Sequence, residues 1–296
     1  MTKPAQSILI SVSAIAAGAV LLAGCSSTPA PSDEAGKISV VASTDVYGSV
    51  ASAVGGDRVD VTSIIVGTSQ DPHEFEASAQ DQLAISEADL IVLNGAGYDD
   101  FMTQLVGSAD IPEVSAEEVT GLTEEGMGAE HFWYSLDGIE KVAAAIADEL
   151  TALDPEGESA YADGLAAFDS TIDGLISTAE GITGCGDILM TEPVPGYLLE
   201  AAGCTDVTPD SFAEAIEEGT GVSVADLQSV LDLITGGSLT LLALNTQTEG
   251  PEAEQIIDAA EAANVPIVRF SETLPEGDDY VSWMTDNLDN IQAALP

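Results

Sequence analysis

Short aliphatic runs alternate with helix-forming stretches along almost the whole chain, and this alternation sets the architecture. Ile38–Ser43, Val59–Val66, Leu90–Asn94, Asp187–Met190, Leu239–Leu244 and Ile267–Phe270 are compact, β-branched or leucine-rich segments. Runs this short and this continuously apolar read as strands buried on both faces. Between them lie segments with apolar residues at helical spacing, over 45–54, 78–87, 98–106, 197–202, 224–234 and 252–263, with a last helix over 280–294. Strand–helix alternation of this kind predicts an α/β fold with mainly parallel sheets flanked by helices.

The alternation breaks once. From Leu136 to Leu153 the positions Ile139, Val142, Ala143, Ile146 and Leu150 follow a helical stripe, and Asp154-Pro155-Glu156-Gly157 ends it. A second long helix follows over 159–180, with Leu165, Phe168, Ile172, Leu175 and Ile176 on one face and glycines at 164 and 174. The expected organisation is therefore two α/β lobes, 37–156 and 183–296, joined by one long rigid helix over 157–182. No sequence repeat relates the two halves.

The start of the chain reads as a targeting segment. Lys3 precedes an apolar run from Ile8 to Leu22, which is short for a membrane span and ends in Leu22-Ala23-Gly24-Cys25. The tetrapeptide resembles the lipobox of bacterial lipoprotein precursors. That resemblance implies a signal peptide over 1–25, lipid on Cys25 and anchoring on the outer face of the cell membrane. Residues 26–36, SSTPAPSDEAG, have the composition of a flexible tether.

Charge narrows the partners. There are 52 acidic and five basic residues, for a formal net charge of −47. Such a surface repels nucleic acid and favours a monomer. Most of these carboxylates read as a solvated face rather than as ligands. The chain has three cysteines. With Cys25 assigned to lipid, Cys185 and Cys204 remain, at opposite ends of a strand–helix unit. An exported chain can oxidise them to a bridge, and two free thiols are the alternative.

The two histidines are the residues with chemistry to offer. His73 lies in Asp71-Pro72-His73-Glu74-Phe75-Glu76, on a loop after a strand, where open α/β sheets collect ligands. His131 precedes Phe132-Trp133-Tyr134, which could be plain core or an aromatic wall around a site. Asp137 could cap the following helix or accept from an imidazole N–H. Glu192 follows a strand in Thr191-Glu192-Pro193-Val194-Pro195, and Asp278 and Asp279 precede the last helix, where capping is the ordinary role.

These segments, with Gly277-Asp278-Asp279-Tyr280 and Ser282-Trp283-Met284, resemble the metal-binding lipoproteins of bacterial manganese and zinc ABC importers. That family includes the pneumococcal manganese-binding adhesin and the treponemal zinc/manganese receptor. The resemblance covers about 37–295. It implies one metal ion held between two lobes by His73, His131, Glu192 and either Asp278 or Asp279, and an ABC permease with its ATPase as partners. This chain lacks the family's usual Asn-Pro before the second histidine and carries no His-rich loop. Two imidazoles and two carboxylates suit Mn(II) or Zn(II), and since bidentate carboxylates supply the higher coordination Mn(II) prefers, Mn(II) is expected ahead of Zn(II). The competing readings are a surface adhesin or structural lipoprotein with an incidental metal, and a metal-dependent hydrolase. No HExxH, GxSxG or P-loop supports an enzyme.

Overall fold

The computed structural model describes residues 36–69, 72–123, 127–217, 219–248 and 250–296. The expected export signal over 1–25 with Cys25, and the expected tether up to Ala35, lie outside them.

The first half runs β1 (Ile38–Thr44), α1 (Asp45–Gly55), β2 (Val59–Ile65), α2 (Ala79–Ser86), β3 (Leu90–Leu93), α3 (Asp100–Val106), β4 (Glu113–Ser115) and α4 (Ala116–Thr120). Two long helices follow, α5 (Leu136–Leu153) and α6 (Glu158–Gly181). The second half is β5 (Asp187–Met190), α7 (Gly196–Ala201), β6 (Thr205–Asp206), α8 (Asp210–Glu217), α9 (Val224–Gly236), β7 (Leu241–Asn245), α10 (Pro251–Ala263), β8 (Ile267–Phe270) and α11 (Tyr280–Ala294). The strands form two four-stranded parallel sheets, ordered β2-β1-β3-β4 and β6-β5-β7-β8. Both sheets thus share one topology although their sequences show no repeat.

Side-chain alternation along each strand explains the layering. In β1 and β3, Val40, Ala42, Leu90 and Val92 point to an inner core, while Val41, Ile91 and Leu93 point to an outer cluster with Ile85 and Met102. In β5 and β7, Ile188, Met190, Leu241 and Ala243 point inward, while Leu189 and Leu242 meet Val230, Ile234 and Ile256. The inner core is continuous. It joins the two sheets through Trp133, through α5 and α6, and through Trp283 and Leu288 of α11. The connecting helix is therefore a shared wall of both halves.

Local rules account for the helix starts. Ser78 and Asp81 form a reciprocal capping box at α2, Ser223 caps α9, and Ser135 caps α5 by accepting from the Gly138 N–H. Asp137 is thus a first-turn carboxylate of α5 rather than its cap. The connecting helix needs one of its glycines. A Cβ on Gly164 would lie 2.4 Å from the Val54 carbonyl oxygen at the end of α1, whereas one on Gly174 would meet open space.

Cys185 and Cys204 form a disulfide, with Cα atoms 4.8 Å apart. Cys185 sits just before β5 and Cys204 just after α7, so the bridge closes the strand–helix unit as anticipated. No helix among the described residues is long and apolar enough to cross a membrane.

Candidate metal centre

Parallel strands aim their carboxyl ends the same way, and the polar residues gather there. His73 lies in the 3-10 turn Pro72–Glu74, after β2. Glu192 stands two residues beyond β5, Asn245 ends β7, and Glu272 stands two residues beyond β8. His131 comes from the turn before α5, wrapped by aromatic rings.

His73 Nε2 lies 3.8 Å from Glu192 Oε1 and 3.7 Å from Glu272 Oε2. The two imidazoles face each other with ring centroids 6.3 Å apart. One ligand atom each from His73, His131 and Glu272 fall within 4.8 Å of one another. His131, Glu192 and Glu272 are buried, at 0, 3 and 0% exposure, while the His73 ring stays partly open at 28%. The site therefore has three fixed walls and one partly open side.

His131 is set as a ligand by its backbone. Its Nδ1 lies 3.0 Å from the Gly128 carbonyl, to which it donates, so Nε2 carries the lone pair. That Nε2 is buried with no hydrogen-bond partner among the described residues. Burial, the largest influence, lowers the pKa of His131 below its ordinary value, so the imidazole is neutral at neutral pH. A neutral ring with an unpaired, inward-facing nitrogen is what a transition-metal ion requires. The turn cannot drift, because Tyr197 donates to the carbonyls of Thr123 and Ala129. Gly196 lies so close beneath it that a Cβ there would come within 1.9 Å of the Met127 carbonyl oxygen.

The carboxylates are held from one side. Asn245 Nδ2 donates to Glu192 Oε2 at 2.5 Å and to Glu272 Oε1 at 2.8 Å, and the Thr248 hydroxyl donates to Glu192 Oε2 at 2.5 Å. Tyr98 donates to Glu272 Oε2 at 3.2 Å. Asp45, at the start of α1, accepts from the Gly67 and Leu274 N–H groups and so ties the Glu272 loop to the opposite half. Burial raises the pKa of Asp45, and those backbone donors oppose the rise.

The structure thus brings together three of the expected ligands, His73, His131 and Glu192. The expected fourth is different. Asp279 caps α11, accepting from the Ser282 N–H in a reciprocal box. Asp278 lines a surface hollow with Thr68 and Pro275. Among the described residues neither joins the cluster, and Glu272 takes the place assigned to them. The missed signal was positional: Glu272 immediately follows a strand's carboxyl end, as Glu192 does. The aromatic run after His131 is both core and site wall, since Trp133 is fully buried and packs its ring 5.3 Å from the imidazole.

Two parallel sheets thus present buried imidazole and carboxylate donors in one place, a set whose chemistry suits a divalent metal ion. The chain belongs to the family of the zinc-uptake complex component A, periplasmic (ZnuA), whose model it matches over residues 40–294. It is 38% identical over 93 residues to the iron ABC transporter substrate-binding lipoprotein MtsA of Streptococcus pyogenes serotype M1, a match covering 30% of each chain. It is 34% identical over 101 residues to the manganese-binding lipoprotein MntA of Halalkalibacterium halodurans, covering 33% of each. These matches thus span about a third or less of either relative. The fold is similar to the SBP FpvC of Pseudomonas aeruginosa in complex with Mn2+, at TM-score 0.72 and 23% identity, covering 88% of this chain and 98% of that one. By its description, that family is a periplasmic component of a zinc-uptake complex.

Proposed function

We propose that the protein is a lipid-anchored receptor that captures one divalent transition-metal ion per chain and delivers it to an ABC permease driven by its ATPase. His73, His131, Glu192 and Glu272 are the ligands, and Cys25 carries the lipid. The observation that carries this reading is the buried, unpartnered Nε2 of a neutral His131 facing a second imidazole and two carboxylates. Two carboxylates beside the imidazoles offset the +2 charge of the ion, whose burial without such partners would be costly. The names of the relatives, an iron receptor and a manganese receptor, support a transition-metal cargo without agreeing on one.

Metal analysis tests it. Wild-type protein equilibrated with Zn(II) or Mn(II) and desalted should retain about one ion per chain, as the single ligand set requires. His131→Ala and Glu272→Ala should lose it, while Asp278→Asn should keep it. Retention of metal by Glu272→Ala, or its loss in Asp278→Asn, would return the fourth ligand to the last-helix loop.

A further inference from the structure

Asn245 stands at a position that no ligand assignment uses. The strand order β6-β5-β7-β8 puts its strand, β7, between the strand that leads to Glu192 and the one that leads to Glu272. From the carboxyl end of the middle strand one short side chain reaches both glutamates. The residue is 1% exposed. Its own geometry is fixed: the backbone N–H donates to Thr191 Oγ1 at 3.0 Å, and Oδ1 accepts from the Gln247 N–H at 3.1 Å. The second bond settles which end of the amide is nitrogen, and so turns the NH2 group toward the carboxylates.

That amide sorts the carboxylate oxygens. Glu192 Oε2 and Glu272 Oε1 accept from Asn245 Nδ2, and Glu192 Oε2 also accepts from Thr248, which itself lies 3.0 Å from Nδ2. The other oxygens, Glu192 Oε1 and Glu272 Oε2, are the ones near His73, at 3.8 and 3.7 Å, and Glu272 Oε2 keeps one longer bond, 3.2 Å from the Tyr98 hydroxyl, which leaves its second lone pair for an ion. Glu192 Oε2 already accepts two hydrogen bonds, one for each lone pair, so bidentate binding would require Glu192 to turn it away from Asn245 and Thr248, and would draw Glu272 Oε1 off the same amide. That would leave buried N–H donors without acceptors, which is costly.

We infer that Asn245 is a positioning residue that limits Glu192 and Glu272 to one metal-facing oxygen each, so that the receptor favours a four-coordinate ion of the Zn(II) type over six-coordinate Mn(II). This rests on the receptor reading above. Bidentate carboxylates were the ground for expecting manganese, and the amide bonds remove that ground. Two nitrogens and two oxygens make a tetrahedral set. Bonds of about 2.0 Å put tetrahedral donors roughly 3.3 Å apart, so the two His73 separations need to contract only slightly around such an ion. Mn(II) would have to recruit additional oxygens to reach the coordination it prefers.

The test uses Co(II) alone as a spectroscopic probe, together with competition titrations of Zn(II) and Mn(II), on wild type, Asn245→Ala and Thr248→Val. Wild type should give the intense visible absorption of four-coordinate Co(II). Asn245→Ala should weaken that band and bind Zn(II) about 10- to 100-fold less tightly, the usual cost of losing a ligand's supporting hydrogen bond. Its Mn(II) affinity should fall less, so the Zn/Mn preference narrows. Thr248→Val is near-isosteric and lies at the margin of the site. It should move both readouts the same way by a smaller amount, and it decides the question if Asn245→Ala does not fold. A weak, six-coordinate Co(II) spectrum in wild type would overturn this inference and leave the receptor intact. So would a wild-type spectrum and an unchanged Zn/Mn preference in the variants. Wild-type protein that binds none of the three metals would overturn both readings.

Discussion

Among the described residues only four carboxylate side chains are buried: Asp99, Glu130, Glu192 and Glu272. Two of them belong to the site. The sequence offers 52 acids, and composition cannot rank them, because a surface carboxylate and a ligand carboxylate are the same residue type. Histidine was legible for the opposite reason: there are two, and both reach the centre. Glu192 was legible because it follows a strand and is held by the two prolines after it, Pro193 and Pro195. Glu272 was hidden by the neighbouring Asp278-Asp279 pair, of which Asp279 caps α11 and Asp278 lines a surface hollow. Asp279 offers a direct check of that role. The Ser282 N–H is the main cause that holds its carboxyl below the usual range. A lowered folded-state pKa means the stabilisation is complete above the ordinary value of 3.8 and is lost as pH falls through the lower folded one. Asp279→Ala should therefore cost about 1 kcal/mol in urea melts at neutral pH. The deficit should shrink in strong acid, and metal retention at neutral pH should stay at the wild-type level.

At the scale of elements, strands buried on both faces announced themselves as unbroken apolar runs, and the long helices did so through their stripes. The edge strands β4 and β6 did not, since three and two residues carry no periodic signal. The short helices α4 and α8 were missed as well, and α4 is only five residues long. The strand expected over 239–244 is observed at Leu241–Asn245, and that shift matters because it puts Asn245 at the tip. Gly164 and Gly174 looked equivalent in sequence, each a modest cost to a helix. The structure separates them, because α1 crosses α6 against Gly164 alone. Gly174→Ala should raise stability by about 0.5–1 kcal/mol, through helix propensity and a less flexible unfolded chain. Gly164→Ala should lower it by about 1–3 kcal/mol through overpacking. Thermal or denaturant melts of the two variants, run side by side, would show opposite signs; the same sign for both would refute the close crossing.

At the scale of the molecule, the sequence gives two lobes and a linking helix but does not show how the halves are fused. Inner faces of both sheets, both long helices and the last helix contribute to one uninterrupted apolar interior. Tyr134 donates to the Ser271 carbonyl, Tyr280 to the Trp133 carbonyl and Thr273 to the Gly67 carbonyl, so side chains cross between the halves beside the site as well as below it. A protein built on this plan has no greasy seam along which to part. Swinging the halves like jaws would bring water into the middle of the molecule, at a cost that grows with every square ångström of apolar surface wetted. If the chain carries a metal as proposed, unloading falls to small movements of the His73 turn, whose side chain is 28% exposed. Solution scattering should give the same radius of gyration with and without Zn(II), and hydrogen exchange should change mainly around residues 66–77. Heating should melt the chain in one step, because the largest apolar interior is shared by both halves.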